Sequence, residues 1–269
     1  MDRISHLPDD VLLKILSFLQ RKDVARTTFF SKRFKTLWMF VPRLEFDDTT
    51  HFPKPRSVRT PEPDYRIFRQ FVDRSLMSFE GQVLQSLYLK LGGRFTDEDI
   101  LIWVRSALKR GLVELKLEYL YYSHPSAILP KSLYTTCETL VVLKLVSVFL
   151  VVPDLVCLRS LKTLSLEDVL NSNPHSLLRL LPNCPVLEDL FIQQKHFSIP
   201  KLVFQIVVPS LKRLSLTYYG IRELEIDAPS LKYLHINLLS NRVYGCTVGA
   251  MYLHDRVVES TYASSQRFA

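Results

Sequence analysis

Apolar and polar positions in this chain follow two different periods, and the change from one to the other organises it. Near the start, Val11, Leu12, Ile15, Leu16 and Leu19 recur at spacings of three and four, which predicts an amphipathic helix. Pro8 suits the first helical turn, where its missing N–H costs nothing. Asp9 and Asp10 follow where the helix dipole favours carboxylates. A second apolar group, Val24 through Phe30 with Phe34, Leu37 and Trp38, predicts further short helices. By pattern alone this is a helical hairpin, too short to close a core of its own. Residues 49–64 hold four prolines and few large apolar groups, so a flexible surface loop or hinge is expected there. From Tyr65 the helical period returns, with Phe68, Phe71, Val72, Leu76 and Phe79 on one face. A further helix is predicted from about Asp97 to Arg110. Thr96 is placed as its N-cap, Asp97, Glu98 and Asp99 fill the first turn, and Gly111 stands at the C-cap. Ile100, Trp103, Val104, Ala107 and Leu108 form its buried stripe.

The second period is two. The pattern L-x-x-L-x-L recurs at Leu84/Leu87/Leu89, Leu112/Leu115/Leu117, Leu140/Leu143/Leu145 and Leu161/Leu164/Leu166. It continues at Leu187/Leu190/Ile192, Leu211/Leu214/Leu216 and Leu231/Leu234/Ile236, with an extra copy, Ile221/Leu224/Ile226, between the last two. Successive starts lie 20 to 28 residues apart, the spacing of leucine-rich repeats. In a strand the alternate leucines enter the core and their neighbours face out. One repeat cannot bury its own leucines, so several must stack into a parallel sheet. Pro153, Pro185, Pro209 and Pro229 precede or separate the strands, where proline removes no central ladder bond. A doubly wound α/β domain is the alternative, but the short, uneven return segments leave little room for full crossover helices.

Composition narrows the classes. Apolar content of 47% and charged content of 23% are those of a globular protein. The seven glycines are too few and too scattered for phosphate-cradling loops. Cys137, Cys157, Cys184 and Cys246 form no C-x-x-C pair and read as reduced thiols of an intracellular protein. No secretory signal is expected, and the most apolar stretch, Leu145 to Val152, falls far short of the ~20 residues needed to span a bilayer. The net charge is +8, and residues 1–45 hold nine Lys/Arg against five Asp/Glu, a local excess of +4. Lys32, Arg33 and Lys35 could face nucleic acid or an acidic protein, but no aromatic-interleaved basic groove accompanies them, so nucleic acid is disfavoured. Catalytic and nucleotide motifs are missing, the seven histidines are scattered, and His254-Asp255 is a lone pair. Cys184, beside Pro185, has no basic neighbour to lower its pKa. The chain reads as a binding protein without enzyme activity, cofactor or metal. Its outward strand positions, Tyr88, Lys116, Lys144, Ser165, Phe191, Ser215 and His235, mix aromatic, basic and small polar groups as recognition surfaces do. Tyr88, Lys116, Lys144, Phe191 and His235 are the candidate target-binding residues.

The order of residues adds a resemblance. Asp2-Arg3-Ile4-Ser5 before Leu7-Pro8, then Ile15-Leu16-Ser17-Phe18-Leu19 and Ser31-Lys32-Arg33, resemble the plant F-box. Two positions depart from that family: Phe34 stands where it usually has Trp, and Gln20 where it usually has Pro. Cys137-Glu138-Thr139-Leu140, Cys184-Pro185-Val186-Leu187, Phe71-Val72-Asp73-Arg74 and Ala228-Pro229-Ser230-Leu231 resemble plant F-box/leucine-rich-repeat proteins that often end in an FBD domain. The resemblance implies an α/β chain with an N-terminal helical F-box, then an irregular leucine-rich-repeat solenoid with a parallel sheet on its concave face. The corresponding boundaries are an F-box at 1–45, a linker and connecting helix at 46–80, repeats at 81–245 and an irregular or truncated tail at 246–269. No complete FBD region is expected, and residues 240–269 are expected to be poorly ordered or idiosyncratic. The function implied is that of a substrate receptor in an SCF-type cullin ubiquitin ligase, docking a Skp-family adaptor and holding an unknown target protein. Leu7, Pro8, Val11, Leu12, Ile15, Leu16, Leu19, Val24, Phe34 and Leu37 are the expected adaptor-facing or interface-supporting group, and Leu16→Lys is expected to abolish adaptor binding. Residence in the nucleus or cytoplasm, away from membranes, goes with that role. The departures leave open a repeat scaffold with a degenerate F-box.

Overall fold

The structure, a computed structural model, describes all residues except 1–3, 5, 20–26, 28–31, 50–61, 93–94, 121–126, 172–175, 195–201, 219–220, 239–244, 249–256 and 263–269. Residues 50–61 of the expected proline-rich loop lie outside the described residues, and residues 62–64, expected in that loop, are helical instead. The chain forms two compact units, Met1–Tyr121 and Tyr122–Ala269.

The first unit begins with helix α1 (Asp9–Leu16), helix α2 (Lys32–Leu37) and a single 3₁₀ turn over Trp38–Phe40. There follow strand β1 (Arg43–Asp47), helix α3 (Glu62–Met77), strand β2 (Ser86–Leu91), helix α4 (Asp97–Leu108) and strand β3 (Glu114–Tyr119). The strands are parallel, with Leu44, Leu87 and Leu115 in one register row and Phe46, Leu89 and Leu117 in the next. All six side chains are buried. β1 carries the repeat's inward spacing as Leu44-x-Phe46, but it has no leucine three residues earlier, so the repeat pattern missed it.

Helix α4 forms where its caps put it. The Thr96 hydroxyl accepts a hydrogen bond from the Asp99 amide at 3.2 Å, and the Asp99 carboxylate accepts one from the Thr96 amide at 3.1 Å. This reciprocal pair satisfies two amides that the first turn cannot. At the far end Gly111 adopts φ +67°, a left-handed conformation that favours glycine. Helix α3 starts three residues earlier than its apolar face suggests, because Pro63 in its first turn gives up no helical bond. Phe71 packs edge-on against Phe46 of β1 at 5.6 Å between centroids, and Phe95 bridges Phe68 and Trp103 at 5.5 and 5.6 Å. The Trp103 indole donates to Asp73 at 2.7 Å, and Arg69 pairs with the buried Asp99. Two polar ties thus fasten α3 to α4.

The second unit holds helix α5 (Lys131–Thr135), strands β4 (Val142–Val146), β5 (Phe149–Leu150), β6 (Thr163–Glu167) and β7 (Leu170–Asn171), and helix α6 (Ser176–Leu180). A 3₁₀ turn over Leu181–Asn183 and strands β8 (Asp189–Gln194), β9 (Leu202–Val207), β10 (Arg213–Tyr218), β11 (Ile221–Asp227), β12 (Tyr233–Leu238), β13 (Gly245–Val248) and β14 (Val257–Tyr262) follow. In this unit β4, β6, β8, β10, β12 and β14 lie side by side in one parallel sheet. Leu143, Leu164, Leu190, Leu214 and Leu234 share one buried row, and Leu145, Leu166, Ile192, Leu216 and Ile236 share the other. The first leucine of four motifs closes the turn before its strand: Leu161 N–H bonds Leu158 C=O, Leu187 N–H Cys184 C=O, Leu211 N–H Val208 C=O and Leu231 N–H Ala228 C=O.

The extra motif copy has a separate home. Ile221, Leu224 and Ile226 lie on β11, the middle strand of a second parallel sheet ordered β13-β11-β9. Only 20 residues separate the motifs at 211 and 231, and the return segment between them is extended rather than helical. β13 and β14 fall within residues 240–269, where no strand was expected. Their sequences carry no leucine motif, and the ladder to β12 and β11 supplies the pairing. The architecture is mixed α/β, a short helical segment being followed in the chain by parallel strands.

Two substitutions test this packing. Leu164→Ala is expected to cost about 2–5 kcal/mol in urea unfolding, as a large-to-small change in a sealed row. Gly111→Ala has room for its Cβ, the nearest atom lying 3.9 Å away, yet is expected to cost about 1–2 kcal/mol for the left-handed backbone alone. An unchanged unfolding midpoint for either variant would contradict the packing described.

Candidate functional site

The helical segment does contain a small core. Leu12 and Leu16 of α1 meet Phe34 and Leu37 of α2 and Val41, all buried, with Leu7, Leu13 and Trp38 packed partly against them. Of the five apolar residues on α1, this core seals two, Leu12 and Leu16, and covers Leu13 in part. Leu12 and Leu16 point inward; Val11 and Ile15, each one position earlier, point out. The chain past the helix continues the outward stripe, because Phe18 N–H bonds Ile15 C=O and Leu19 N–H bonds Leu16 C=O. Ile15 is 42% exposed, Leu19 41% and Phe18 76%, whereas Leu16 is 1% exposed. Pro8 and Ile4 extend the same exposed apolar series toward the N-terminus. Lone exposed apolar side chains are ordinary; a series of them along one short helix and the turns flanking it is a candidate interaction surface.

The expected adaptor group therefore divides. Pro8, Val11, Ile15 and Leu19 lie at the surface, Leu7 is half-buried, and Leu12, Leu16, Phe34 and Leu37 form the support beneath. Val24 lies outside the described residues. Ile4 and Phe18 belong to the exposed set and were not in the expected group. Phe18 could have been found from its spacing, three residues after Ile15 and seven after Val11.

The outward sheet positions differ between the units. In the first unit Tyr88 and Lys116 are register partners and engage each other: the Lys116 ammonium sits 4.3 Å from the Tyr88 ring centroid. The same ammonium lies 2.7 Å from Glu118. Burial raises the Tyr88 phenol above its ordinary pKa, and the charge of Glu118 and a hydrogen bond to it add to the rise. Beside them Lys90 lies 3.4 Å from Asp47. In the second unit the row reads Lys144, Ser165, Phe191, Ser215, His235 across five strands. Phe191 thus projects between two serines, and its ring is 36% exposed. Beside it Arg213 forks onto Asp189, matching those two charges, and Gln193 donates to Glu167 at 2.8 Å.

No group of three or more His, Cys, Asp or Glu side chains suited to a metal occurs among the described residues. No described helix is long and apolar enough to cross a membrane. His254 and Asp255 lie outside the described residues. Cys184 is buried, its Sγ donates to the Leu180 carbonyl at 3.4 Å, and burial pushes the thiol up to about 12.

A small helical module with an outward apolar stripe is followed in the chain by leucine rows on parallel strands. The F-box domain family matches residues 4–45, and the family described as "FBD-associated F-box protein At5g56370, LRR repeats" matches residues 101–250. FBD-associated F-box protein At5g56380 of Arabidopsis thaliana is 58% identical over 253 residues, covering 88% of this chain and 57% of that protein. F-box/FBD/LRR-repeat protein At4g26340 of the same plant is 44% identical over 241 residues, covering 88% and 55%. FBD-associated F-box protein At5g56370 is 41% identical over 251 residues, covering 93% and 56%. The chain spans just over half the length of these relatives. No solved structure matches it. The chain belongs to the plant F-box/leucine-rich-repeat family.

The thiols give a direct check. Unfolded, Cys184 ionises near its ordinary value of 9; in the fold it does so near 12. The folded state holds that proton more tightly, so the stabilisation is complete below pH 9 and is lost as pH rises from 9 toward 12. Alkylation at pH 8 is expected to label the half-buried Cys157 first and Cys184 only after denaturant is added. Equal labelling rates in the native chain would contradict the packing of Cys184.

Proposed function

We propose that this chain is the target-recognition subunit of an SCF-type cullin ubiquitin ligase. The exposed apolar stripe of α1 docks a Skp-family adaptor, and through it a cullin. The leucine-rich strands form a solenoid whose concave sheet face holds a target protein. The observation that carries this is the split of α1 into two stripes, one sealed in the module's own core and one left in water. The side chains of the outer stripe are already partly buried, so completing their burial is worth on the order of 1 kcal/mol each. Several together supply an anchor, while the core beneath keeps them in place.

The chain itself makes and breaks no bonds in this scheme and needs no cofactor. Holding a target near the ubiquitin-loading enzyme raises the effective concentration of its lysines. Nucleus or cytoplasm is the setting that fits. A scaffold with a degenerate F-box is disfavoured by Phe34. Its ring lies in the core, so the exchange of Trp for Phe leaves the outer stripe untouched.

Surface and core positions on α1 separate the docking role from folding. Ile15→Asp/Phe18→Asp is expected to lower adaptor affinity at least tenfold in co-purification and titration, with the unfolding midpoint unchanged. Leu16→Lys puts a charge into the sealed core and is expected to lose helical signal and adaptor binding together. Undiminished adaptor binding by Ile15→Asp/Phe18→Asp would sink the docking assignment.

A further inference from the structure

Helix α1 begins without a side-chain cap, since its N-cap residue is Pro8 and no side chain there bonds the first turn. Such an entry is ordinarily free to fray. A residue from α2 supplies the missing restraint. Arg33, 24 positions beyond Asp9, places its Nε 2.7 Å from Asp9 Oδ1. Its Nη2 reaches the same carboxylate and also lies 2.6 Å from the Leu7 carbonyl oxygen. Leu7 is itself in a tight turn, its amide bonding the Ile4 carbonyl at 3.1 Å. One guanidinium therefore binds the last residue of the entry turn and the first residue of the helix at once.

The exposed apolar residues lie on both sides of that junction. Ile4 and Pro8 come from the entry, Val11 and Ile15 from the helix. They form one continuous surface only if the turn meets the helix at a fixed angle. We infer that Arg33 is a positioning residue for adaptor docking: it sets the angle between the Ile4–Leu7 turn and α1. This inference rests on the docking role proposed above. The Asp9–Arg33 pair is largely solvated, with side-chain exposures of 61% and 37%. Such a pair adds little to folding stability, so its effect falls on preorganisation, which lowers the ordering cost at the moment of binding. Lysine cannot replace it fully, because an ammonium lacks the rigid fork that addresses two acceptors together.

The test uses the full chain and a purified Skp-family adaptor, with affinity and thermal unfolding measured for Arg33→Gln, Arg33→Lys, Asp9→Asn and the double variant Asp9→Asn/Arg33→Gln. Arg33→Gln is expected to weaken binding about threefold to tenfold while the unfolding midpoint stays within about 2 °C, and Arg33→Lys is expected to recover part of the loss. Asp9→Asn is expected to weaken binding too, and the double variant to bind no worse than Arg33→Gln alone, the signature of two groups acting as one. Additive losses would mean that Arg33 touches the adaptor itself, and would overturn the inference. So would unchanged affinity for Arg33→Gln, or a fall in its unfolding midpoint that parallels the fall in affinity. Failure of the unsubstituted chain to bind the adaptor would instead overturn the docking role, and with it the part given to Arg33.

Discussion

No strand in this protein can bury its own leucines, and most of the structure follows from that constraint. A strand of five or six residues offers two or three inward side chains, and these are sealed only when the neighbouring strand brings its own to the same height. The register rows meet this condition: Leu143, Leu164, Leu190, Leu214 and Leu234 lie level across the second unit, and Leu44, Leu87 and Leu115 across the first. Once the inward row is fixed, the outward row is fixed too, because a one-residue slip would turn every leucine to water. The placing of the outward side chains is thus a consequence of how the core is sealed. Its chemistry varies freely while its geometry does not.

That freedom shows in the contrast between the units. Tyr88 and Lys116 are spent on each other and on Glu118, and a partner would have to break those contacts before making new ones. Phe191 stands between Ser165 and Ser215, with the neighbouring charges of Asp189 and Arg213 already matched. An aromatic ring is the kind of side chain enriched at the centre of protein interfaces, whereas the serines beside it are of a kind depleted there. The helical module follows a different rule. α1 carries apolar residues on two stripes, and the core it shares with α2 has room for one.

Much of this was legible in the sequence where a signal was local. Helix α4 declared itself through Thr96, Asp99 and Gly111, three residues whose roles depend only on their neighbours in the chain. The leucine motif located strands β2, β3, β4, β6, β8, β10 and β12 because two-residue alternation is equally local. What stayed hidden depended on partners far along the chain. β1 and β14 become strands because β2 and β12 offer them a ladder, and the second sheet turns the extra motif into β11. The division between Ile15 and Leu16 was equally hidden. Both fit a period of 3.6, and only Phe34 and Leu37, arriving from α2, decide which stripe is sealed. The tie from Arg33 to Asp9 and Leu7 links positions that nothing in the sequence pairs.

Hydrogen exchange of the full chain, with and without a Skp-family adaptor, tests the central claim most directly. It reports where the adaptor sits without altering a residue. The account predicts slowed exchange in α1 and the turns flanking it, residues 4–19, with the strands from Ser86 to Leu91 and from Asp189 to Gln194 unchanged. Slowing confined to the strands, or no slowing anywhere at saturating adaptor, would contradict it.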